Sequence, residues 1–440
     1  MTTNLSVLPR MPADRFTVPF MRFLRIEAVA GGVLLASTLV ALALANSRWS
    51  EPYLAFWELH AGLHWGEIVF SRSLKHWIND ALMTLFFFVI ALELKRELSL
   101  GELRDRRIAA LPFAAALGGM FVPAAVFLAI VGKSPGAHGW GTVMSTDTAF
   151  MIGCLAILGS RLPESLRLFL LALAIFDDVG AIMVVAIGYG GALSWLPLGL
   201  AIFGLMAVLA MGWMGIRSVL PFFIVGGAIW IALDSSGIHP TLVGIILGLM
   251  TPARSWVSDR RLHAILDRVV AYPPGEHWAG DGIARDDLHR ARIATREALS
   301  PVERLELLLH PWVAFGILPL FALANAAIPI ASAKFDPTLT MAIIVAFTVG
   351  KPAGILLFSY LAVKSRIGVK PPELSWGLLA GGAMLTGIGF TMALFIADLA
   401  FGKELIPSVK LGVLSASVLS ALAGMIVLFL VRPSAERAEE

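Results

Sequence analysis

The feature that most limits the fold of this chain is a series of apolar runs, each long enough to cross a lipid bilayer. A helix needs roughly 20 apolar residues to span about 30 Å of hydrocarbon, and such runs recur throughout the sequence. Hydrophobic residues occupy 58% of the 440 positions and charged residues 15%, whereas soluble domains are closer to half apolar and a quarter charged. The runs do not alternate apolar and polar residues, which excludes a β-barrel. The sequence predicts an all-α polytopic membrane protein.

The hydropathy pattern predicts about 12 transmembrane helices. In chain order the predicted segments are 28–45, 78–94, 108–131, 141–158, 166–187, 196–211, 220–233, 241–250, 307–330, 339–363, 374–399 and 411–430. The eighth segment is too short to cross the bilayer upright and relies on its flanks. We therefore expect residues 1–440 to form a single membrane transporter domain.

Basic residues in the short loops predict the orientation of the chain. The side that holds the N-terminus also holds the loop "KRELSLGELRDRR" and most other loop lysines and arginines, which places both termini in the cytoplasm. A polar insertion at about 252–300 lies on the same side and is expected to be a loop with some helix. Its end, "SPVE", predicts a helix start with Ser300 as N-cap and Glu303 closing a capping box. The only cysteine, Cys154, cannot form an intramolecular disulfide.

Four ionisable residues lie near the middle of predicted membrane segments. They are Asp147, Asp177, Asp178 and Lys351. Each charge at the centre of a membrane helix costs about 2.5–3.5 kcal/mol on insertion scales. An inert ion pair that fixes helix packing needs one acid and one base, but three acids and one base leave two negative charges uncompensated. This imbalance favours a functional site.

The adjacent pair Asp177–Asp178 indicates the chemistry of that site. Neighbouring residues on a helix point about 100° apart, so one aspartate is expected to face a water-filled cavity and the other a neighbouring helix. Carboxylate oxygens accept protons and also bind small, hard cations. A proton and a cation would compete for the same oxygens.

Segments four and eleven carry residues that interrupt a helix. Segment four contains "VMSTDTAFMIG", in which hydroxyl groups flank Asp147, and segment eleven contains "LTGIGFTM", with Gly387 and Gly389. The two segments run in opposite directions. Breaks at corresponding points of opposed segments predict inverted-topology repeats with two crossing, broken helices, whose ends present partial charges to an ion site.

The motifs of this chain are similar to those of a known family. The stretches "STDTAF", "LALAIFDDVGAI", "FFFVIALELKREL", "LHPWVAFGILPLFALANA", "VGKPAGI" and "GIGFTMALFIADLAFG" resemble the NhaA family of bacterial Na⁺/H⁺ antiporters, and they occur in the family's order over most of the chain. The family is an established case of inverted repeats with broken helices. The resemblance implies a secondary transporter rather than an enzyme. It would exchange Na⁺, and Li⁺ as well, for H⁺ across the bacterial inner membrane, in an electrogenic and pH-regulated manner.

The resemblance also implies roles for individual residues. Asp178 would be the principal sodium ligand and proton carrier, Asp177 its partner in binding Na⁺, and Thr146 a neighbour of the ion. Asp147 and Lys351 would offset partial charges at the broken helices, with Lys351 a candidate partner of Asp177. The cytoplasmic pH-sensing entrance would hold Glu93, Glu97, Glu306 and His310. No cofactor and no nucleic-acid partner is expected; the partners are the transported ions and the lipid bilayer, and a homodimer is left open.

The chain departs from the family pattern in two places. Leu307 occupies a position where family members often carry a second histidine, and the 252–300 insertion is longer than the usual loop. On sequence alone, the four entrance residues are ordinary polar residues at helix ends. The departures bear on the entrance and leave the aspartate pair intact.

Two other classes of function remain compatible with acids inside a membrane. An intramembrane aspartyl protease needs two acids that share one proton; the adjacent pair cannot face each other on one helix, but Asp147 with Asp178 would fit. A sodium-coupled symporter of similar fold would need a pocket for an organic substrate, which the sequence neither shows nor excludes.

Overall fold

A computed structural model describes residues 27–65, 68–191, 193–216, 218–271, 282–329 and 335–431. The helices are α1 Glu27–Ala45, α2 Ser50–Trp57, α3 Leu74–Ser99, α4 Arg106–Val131, α5 Thr148–Leu158, α6 Glu164–Gly188, α7 Trp195–Trp213, α8 Val219–Asp234, α9 Leu242–Met250, α10 Asp259–Val270, α11 Gly282–Glu297, α12 Pro301–Asn325, α13 Pro337–Lys364, α14 Trp376–Leu385, α15 Phe390–Ala400 and α16 Ile406–Leu430. A 3₁₀ helix, Pro135–Val143, precedes α5. Strands β1 His60–Trp65 and β2 Ile68–Ser73 form an antiparallel hairpin in which His60 lies opposite Ser73.

Among the described residues, seven helices are long and apolar enough to cross a membrane: α3, α4, α6, α7, α12, α13 and α16. The number rises to ten if each sharply bent helix pair counts as one span. Every one of the seven coincides with a predicted segment. The all-α, multi-pass architecture is therefore confirmed, while the count of twelve stays a prediction.

The two predicted interruptions are present. The 3₁₀ helix and α5 meet at a bend of 45°, and α14 and α15 meet at a bend of 48°. The connecting residues are 144–147 in the first break and 386–389 in the second. The first break carries Asp147, which caps α5 by accepting a hydrogen bond from the Phe150 amide. Polar and glycine residues in mid-span thus interrupt the helices, as the sequence predicts.

The region before α3 contains structure that the hydropathy pattern does not indicate. The stretch 46–77 lies between the first two predicted segments. Most of it is occupied by α2 and the hairpin, and α3 begins at Leu74, shortly before the predicted segment 78–94. Apolar and polar residues are mixed in this stretch, so it has too weak a period to predict either element. The Asn46 side chain donates to the Ile328 carbonyl, and the Tyr53 hydroxyl donates to the Leu323 carbonyl, so long-range contacts hold the segment in place.

The insertion near 252–300 contains the helix that the sequence predicts. Two helices, α10 and α11, occupy its described parts, and residues 272–281 lie outside the described residues. At its end, Ser300 accepts from the Glu303 amide, and the Glu303 carboxylate accepts from the Ser300 amide. This reciprocal capping box is confirmed, and it begins α12 at Pro301.

The chain divides into two compact units. The first unit comprises the described parts of Met1–Met83, Arg106–Gly191 and Pro311–Glu440; the second comprises those of Thr84–Asp105 and Ala192–His310. The four mid-membrane ionisable residues all fall in the first unit. The four predicted entrance residues all fall in the second.

Within the first unit, one order of elements occurs twice. A long helix, a broken pair and a second long helix follow one another as α4, 3₁₀–α5, α6, and again as α13, α14–α15, α16. In each set the two long helices pack against each other. This recurrence is the arrangement that the predicted repeats require.

Two glycines of the first unit form a close contact between α4 and α13. A Cβ atom built on Gly118 of α4 would lie 2.2 Å from the Gly354 carbonyl oxygen, and one built on Gly354 of α13 would lie 2.1 Å from that of Gly118. Only glycine lets two backbones approach this closely. Lys351 lies three residues before Gly354, so this contact sets the position of the lysine.

Candidate functional site

The two breaks lie against each other. The Asp147 amide donates to the Ile388 carbonyl at 2.6 Å, and the Thr146 hydroxyl donates to the Thr386 carbonyl at 3.2 Å. Because both breaks expose backbone groups that helices would normally pair, each break satisfies polar groups of the other.

Asp147 binds the N-terminal ends of two half-helices. Its Oδ1 accepts from the Phe150 amide of α5 at 3.1 Å. Its Oδ2 accepts from the Thr391 amide of α15 at 2.9 Å and from the Thr391 hydroxyl at 2.6 Å. Helix N-termini carry partial positive charge, so one carboxylate offsets two of them. These contacts are the ones that a charge-compensating role for Asp147 requires.

Lys351 connects the first break to the aspartate pair. Its Nζ donates to the Met144 carbonyl oxygen at 2.6 Å, at the C-terminal end of the 3₁₀ helix, where partial negative charge collects. The same Nζ forms an ion pair with Asp177 Oδ2 at 2.8 Å, and both side chains are fully buried. The expected pairing of Lys351 with Asp177 is therefore present.

The two aspartates have different surroundings. Asp177 Oδ2 also accepts from the Thr146 hydroxyl at 2.6 Å, so two donors hold this oxygen. Asp178 is the next residue of α6 and is 4% exposed. It accepts a hydrogen bond from the Thr148 hydroxyl at 3.3 Å, which is longer than the bond from Thr146 to Asp177. Asp177 does face a neighbouring helix, as expected of one member of the pair. The water-filled cavity expected beside the other stays a prediction.

Comparison with known proteins decides the family. The model of the family described as Na⁺/H⁺ antiporter 1 matches residues 21–428. The chain is 67% identical to the Na⁺/H⁺ antiporter NhaA of Rhizobium meliloti, over 98% of each chain. It is 53% identical to NhaA 2 of Vibrio vulnificus, over 97% of this chain and 95% of that one. It is 49% identical to NhaA of Rhodopirellula baltica, over 98% of each.

The chain belongs to the NhaA family of Na⁺/H⁺ antiporters. The resemblance seen in the sequence is thereby confirmed, and the family is one of transporters, not enzymes. In the site, the Asp147 carboxylate accepts hydrogen bonds from Phe150 and Thr391 at the ends of the two half-helices.

The predicted entrance residues of this NhaA-family chain come together in the second unit. Glu93 and Glu97 lie on α3, and Glu306 and His310 lie on α12. His310 Nε2 is 3.9 Å from Glu93 Oε1. Glu306 is 7% exposed. We call these four residues and Arg96, which lies among them, the entrance cluster.

Arg96 is a member of this cluster that the sequence analysis missed. Its guanidinium forms ion pairs with Glu306 and, at 3.0 Å, with Glu97. Arg96 lies within "FFFVIALELKREL", but nothing in the sequence tells which basic residue of that stretch turns toward α12. The family's second-histidine position, Leu307, is 67% exposed and so takes no part in the cluster.

A second polar network was also missed, in the first unit. Asp398 of α15 accepts from Asn79 at 3.2 Å and pairs with Lys75 at 2.8 Å. Asn79 and Asn325 exchange hydrogen bonds at 2.7 and 3.2 Å. Asn79 lies in a π-helical turn of α3, Trp77–Leu82, a distortion often found at functional positions. The sequence signal was Asp398, an acid within "FIADLAFG".

Tyr189 ties the end of α6 to the half-helix before the first break. Its hydroxyl accepts from the Gly141 amide at 3.1 Å and donates to the His138 carbonyl at 3.0 Å. Burial raises the pKa of this hydroxyl, and the bond from Gly141 partly opposes the shift. The contact helps to fix the distance between α6, which carries the aspartates, and the first break.

Proposed function

We propose that this chain exchanges Na⁺ for H⁺, and that the two ions compete at Asp177, Asp178 and Lys351. The observation that carries the proposal is the fully buried Lys351–Asp177 ion pair beside Asp178. One ammonium cannot neutralise two adjacent carboxylates. Buried charge of this kind is costly unless it binds something.

Competition between Na⁺ and protons follows from the contacts of Asp177 and Asp178. An incoming Na⁺ takes oxygens of Asp178 and Asp177, so it displaces the proton of Asp178 and competes with the Lys351 ammonium for Asp177. The second proton of the cycle is carried by Asp177 or by Lys351. Asp147 stays bound to the ends of the two half-helices throughout, because the Phe150 amide, the Thr391 amide and the Thr391 hydroxyl all donate to its carboxylate.

The exchange is proposed to be electrogenic. Two protons moved against one Na⁺ transfer one net charge per cycle. Such a charge is worth about 2.3 kcal/mol per 100 mV of membrane potential. A negative interior would then help to expel Na⁺ while protons enter. Li⁺, also a small hard cation, is proposed to be transported at the same site.

The entrance cluster is proposed to regulate transport by pH. Its groups are Glu93, Arg96, Glu97, Glu306 and His310, with Glu303 of α12 close enough to act on Glu306. Acidification neutralises the carboxylates and charges the histidine, which breaks the ion pairs of Arg96 and shuts transport down. This proposal rests on the five residues meeting in one cluster, together with family membership.

The setting of the transporter is proposed from the orientation argument and the relatives. Relatives of the chain come from bacteria, and we place it in the bacterial inner membrane with both termini cytoplasmic, as a single transporter domain that includes both units. A homodimer is compatible with this arrangement.

The test is Na⁺-driven proton movement in proteoliposomes, with the voltage clamped by potassium and valinomycin. Asp178→Asn is expected to abolish exchange, whereas Glu51→Gln, the same change at an exposed carboxylate of α2, keeps it. Wild-type rates should rise with the applied potential. Active Asp178→Asn protein would refute the site, and voltage-independent exchange would refute the stoichiometry. Uptake of an organic solute driven by Na⁺, without counterflow of protons, would establish the symporter alternative.

A further inference from the structure

Two threonines flank Asp147, Thr146 in the first break and Thr148 at the start of α5, and each is hydrogen-bonded to a different aspartate. Thr146 contacts Asp177 Oδ2 at 2.6 Å, and Thr148 contacts Asp178 Oδ2 at 3.3 Å. The two contacts differ in length and in the charge beside them. Asp177 Oδ2 is also bound by the Lys351 ammonium at 2.8 Å, so a cation that approaches this oxygen must compete with a positive charge.

We propose that Thr148 is an ion ligand, and that its hydroxyl oxygen and Asp178 Oδ2 form the oxygen pair that captures Na⁺ first. The inference rests on the proposed function and adds to it a residue that selects and positions the ion. Thr146 then remains hydrogen-bonded to Asp177, the partner of Lys351. It becomes an ion ligand only after Lys351 has moved.

The spacing of the oxygens supports this order. Na⁺ is close in size to Ca²⁺, whose oxygen ligands lie about 2.3–2.6 Å away. Two oxygens 3.3 Å apart, as for Thr148 and Asp178, subtend about 85° at an ion that lies about 2.45 Å from each. That angle is close to the right angle between neighbouring ligands of an octahedral site, so an ion fits between them with little movement.

The other threonine–aspartate pair does not offer such a place. Oxygens 2.6 Å apart, as for Thr146 and Asp177, subtend only about 64° at the same ion distance. The ion would also meet the Lys351 ammonium on the same carboxylate oxygen. This pair must open, and its lysine must leave, before it can bind a cation.

A hydroxyl group is chemically suited to the first binding of Na⁺. A threonine hydroxyl donates one hydrogen and carries two lone pairs, so it donates to Asp178 once that carboxyl has released its proton, and it turns a lone pair to Na⁺ when the ion arrives. Thr148 is the first residue of α5, which fixes its backbone. A further oxygen is available nearby, since Asp177 Oδ1 is buried and has no hydrogen-bond partner within the described ranges.

The experiment compares Thr148→Val, which keeps the shape and removes the hydroxyl, with Thr148→Ser, which restores a hydroxyl. Full-length protein in proteoliposomes gives KM for Na⁺ and the maximal exchange rate. Thr148→Val is expected to raise KM about tenfold or more, a size typical of losing a contact to a charged group, with a smaller change in maximal rate. Thr148→Ser should bring KM back to within about threefold of wild type. Thr146→Val should lower the maximal rate more than it raises KM.

A second readout does not depend on transport. Na⁺ that binds the folded protein raises its unfolding temperature in detergent, and Thr148→Val should need about tenfold more Na⁺ for the same rise. An unchanged KM and an unchanged Na⁺ requirement in Thr148→Val would overturn the inference, as would a Thr148→Ser protein as impaired as Thr148→Val. Wild-type protein without Na⁺-driven proton flux would instead refute the proposed function, so the two failures are distinct.

Discussion

The two units of this NhaA-family chain each contain an ion pair between a base and an acid on different helices. In the first unit, Lys351 and Asp177 are both fully buried, and Lys351 also holds the backbone of the first break. In the second unit, the Arg96 side chain is 39% exposed and the side chain of its partner Glu306 is 9% exposed. When one member of a buried ion pair is removed, no water is present to solvate the charge that remains. When one member of a partly exposed pair is removed, water solvates the other. The first arrangement suits an ion-binding step and the second suits adjustment of a pH response.

The largest expected effect concerns the buried pair. Lys351→Met should lower the free energy of unfolding by about 3–5 kcal/mol, because it leaves Asp177 charged and buried without its partner. Adding Asp177→Asn should recover most of the loss. Arg96→Gln in the second unit should cost at most about 1 kcal/mol.

Thermal unfolding of the purified variants in detergent measures these differences. If Lys351→Met and Arg96→Gln lowered the free energy of unfolding equally, the buried and the partly exposed ion pair would not differ in their contribution to stability. Failure of the double variant to recover would show that Lys351 stabilises the protein through the Met144 carbonyl alone.

A second, smaller effect tests close helix packing in the two units. Gly354→Ala would place a Cβ 2.1 Å from the Gly118 carbonyl oxygen, so α4 and α13 must separate and Lys351 must move. Misplacement of a working group by about 1 Å can cost up to roughly a hundredfold in rate, and we expect the exchange rate to fall tenfold or more.

The matched change in the second unit is Gly244→Ala, whose Cβ would lie 2.2 Å from the Thr84 carbonyl oxygen. Gly244→Ala should lower the unfolding temperature about as much as Gly354→Ala does. Its maximal exchange rate at alkaline pH should stay within about threefold of the wild-type rate. Gly227→Ala, with open space around its Cβ, controls for the added methyl group. Equal loss of transport in Gly354→Ala and Gly244→Ala would contradict the assignment of ion binding to the first unit.

The smallest effect is a shift of the pH response. Arg96→Gln removes the positive charge that pairs with Glu97 and Glu306, so we expect transport to be activated at a higher pH. A pair worth at most about 1 kcal/mol corresponds to a displacement of at most about 0.7 pH unit toward alkaline values. The maximal rate at alkaline pH should not change. Proton flux measured across a pH series checks this, and an unmoved profile would exclude Arg96 from regulation.

Most of the helices and most of the site could be predicted from the sequence. Apolar length and loop charge depend on local composition, which is why the seven long spans coincide with predicted segments. The break at residues 144–147 was predictable because polar and branched residues weaken a helix locally. The α2 helix and the hairpin were not predictable, since their patterns are weak and distant carbonyls such as that of Ile328 hold the segment in place.

The sequence by itself determined which chemical groups this membrane protein places in its interior: three aspartates, one lysine and the threonines of the first break. Only the tertiary structure decided which of them meet. Asp147 and Thr391 are 244 positions apart, and Arg96 and Glu306 are 210 positions apart. The pairing of Lys351 with Asp177 also joins helices that are distant in the sequence. The physical reason is that hydropathy acts residue by residue, whereas an ion pair or a capped half-helix exists only once packing, set by contacts such as Gly118 on Gly354, has brought both partners within about 3 Å.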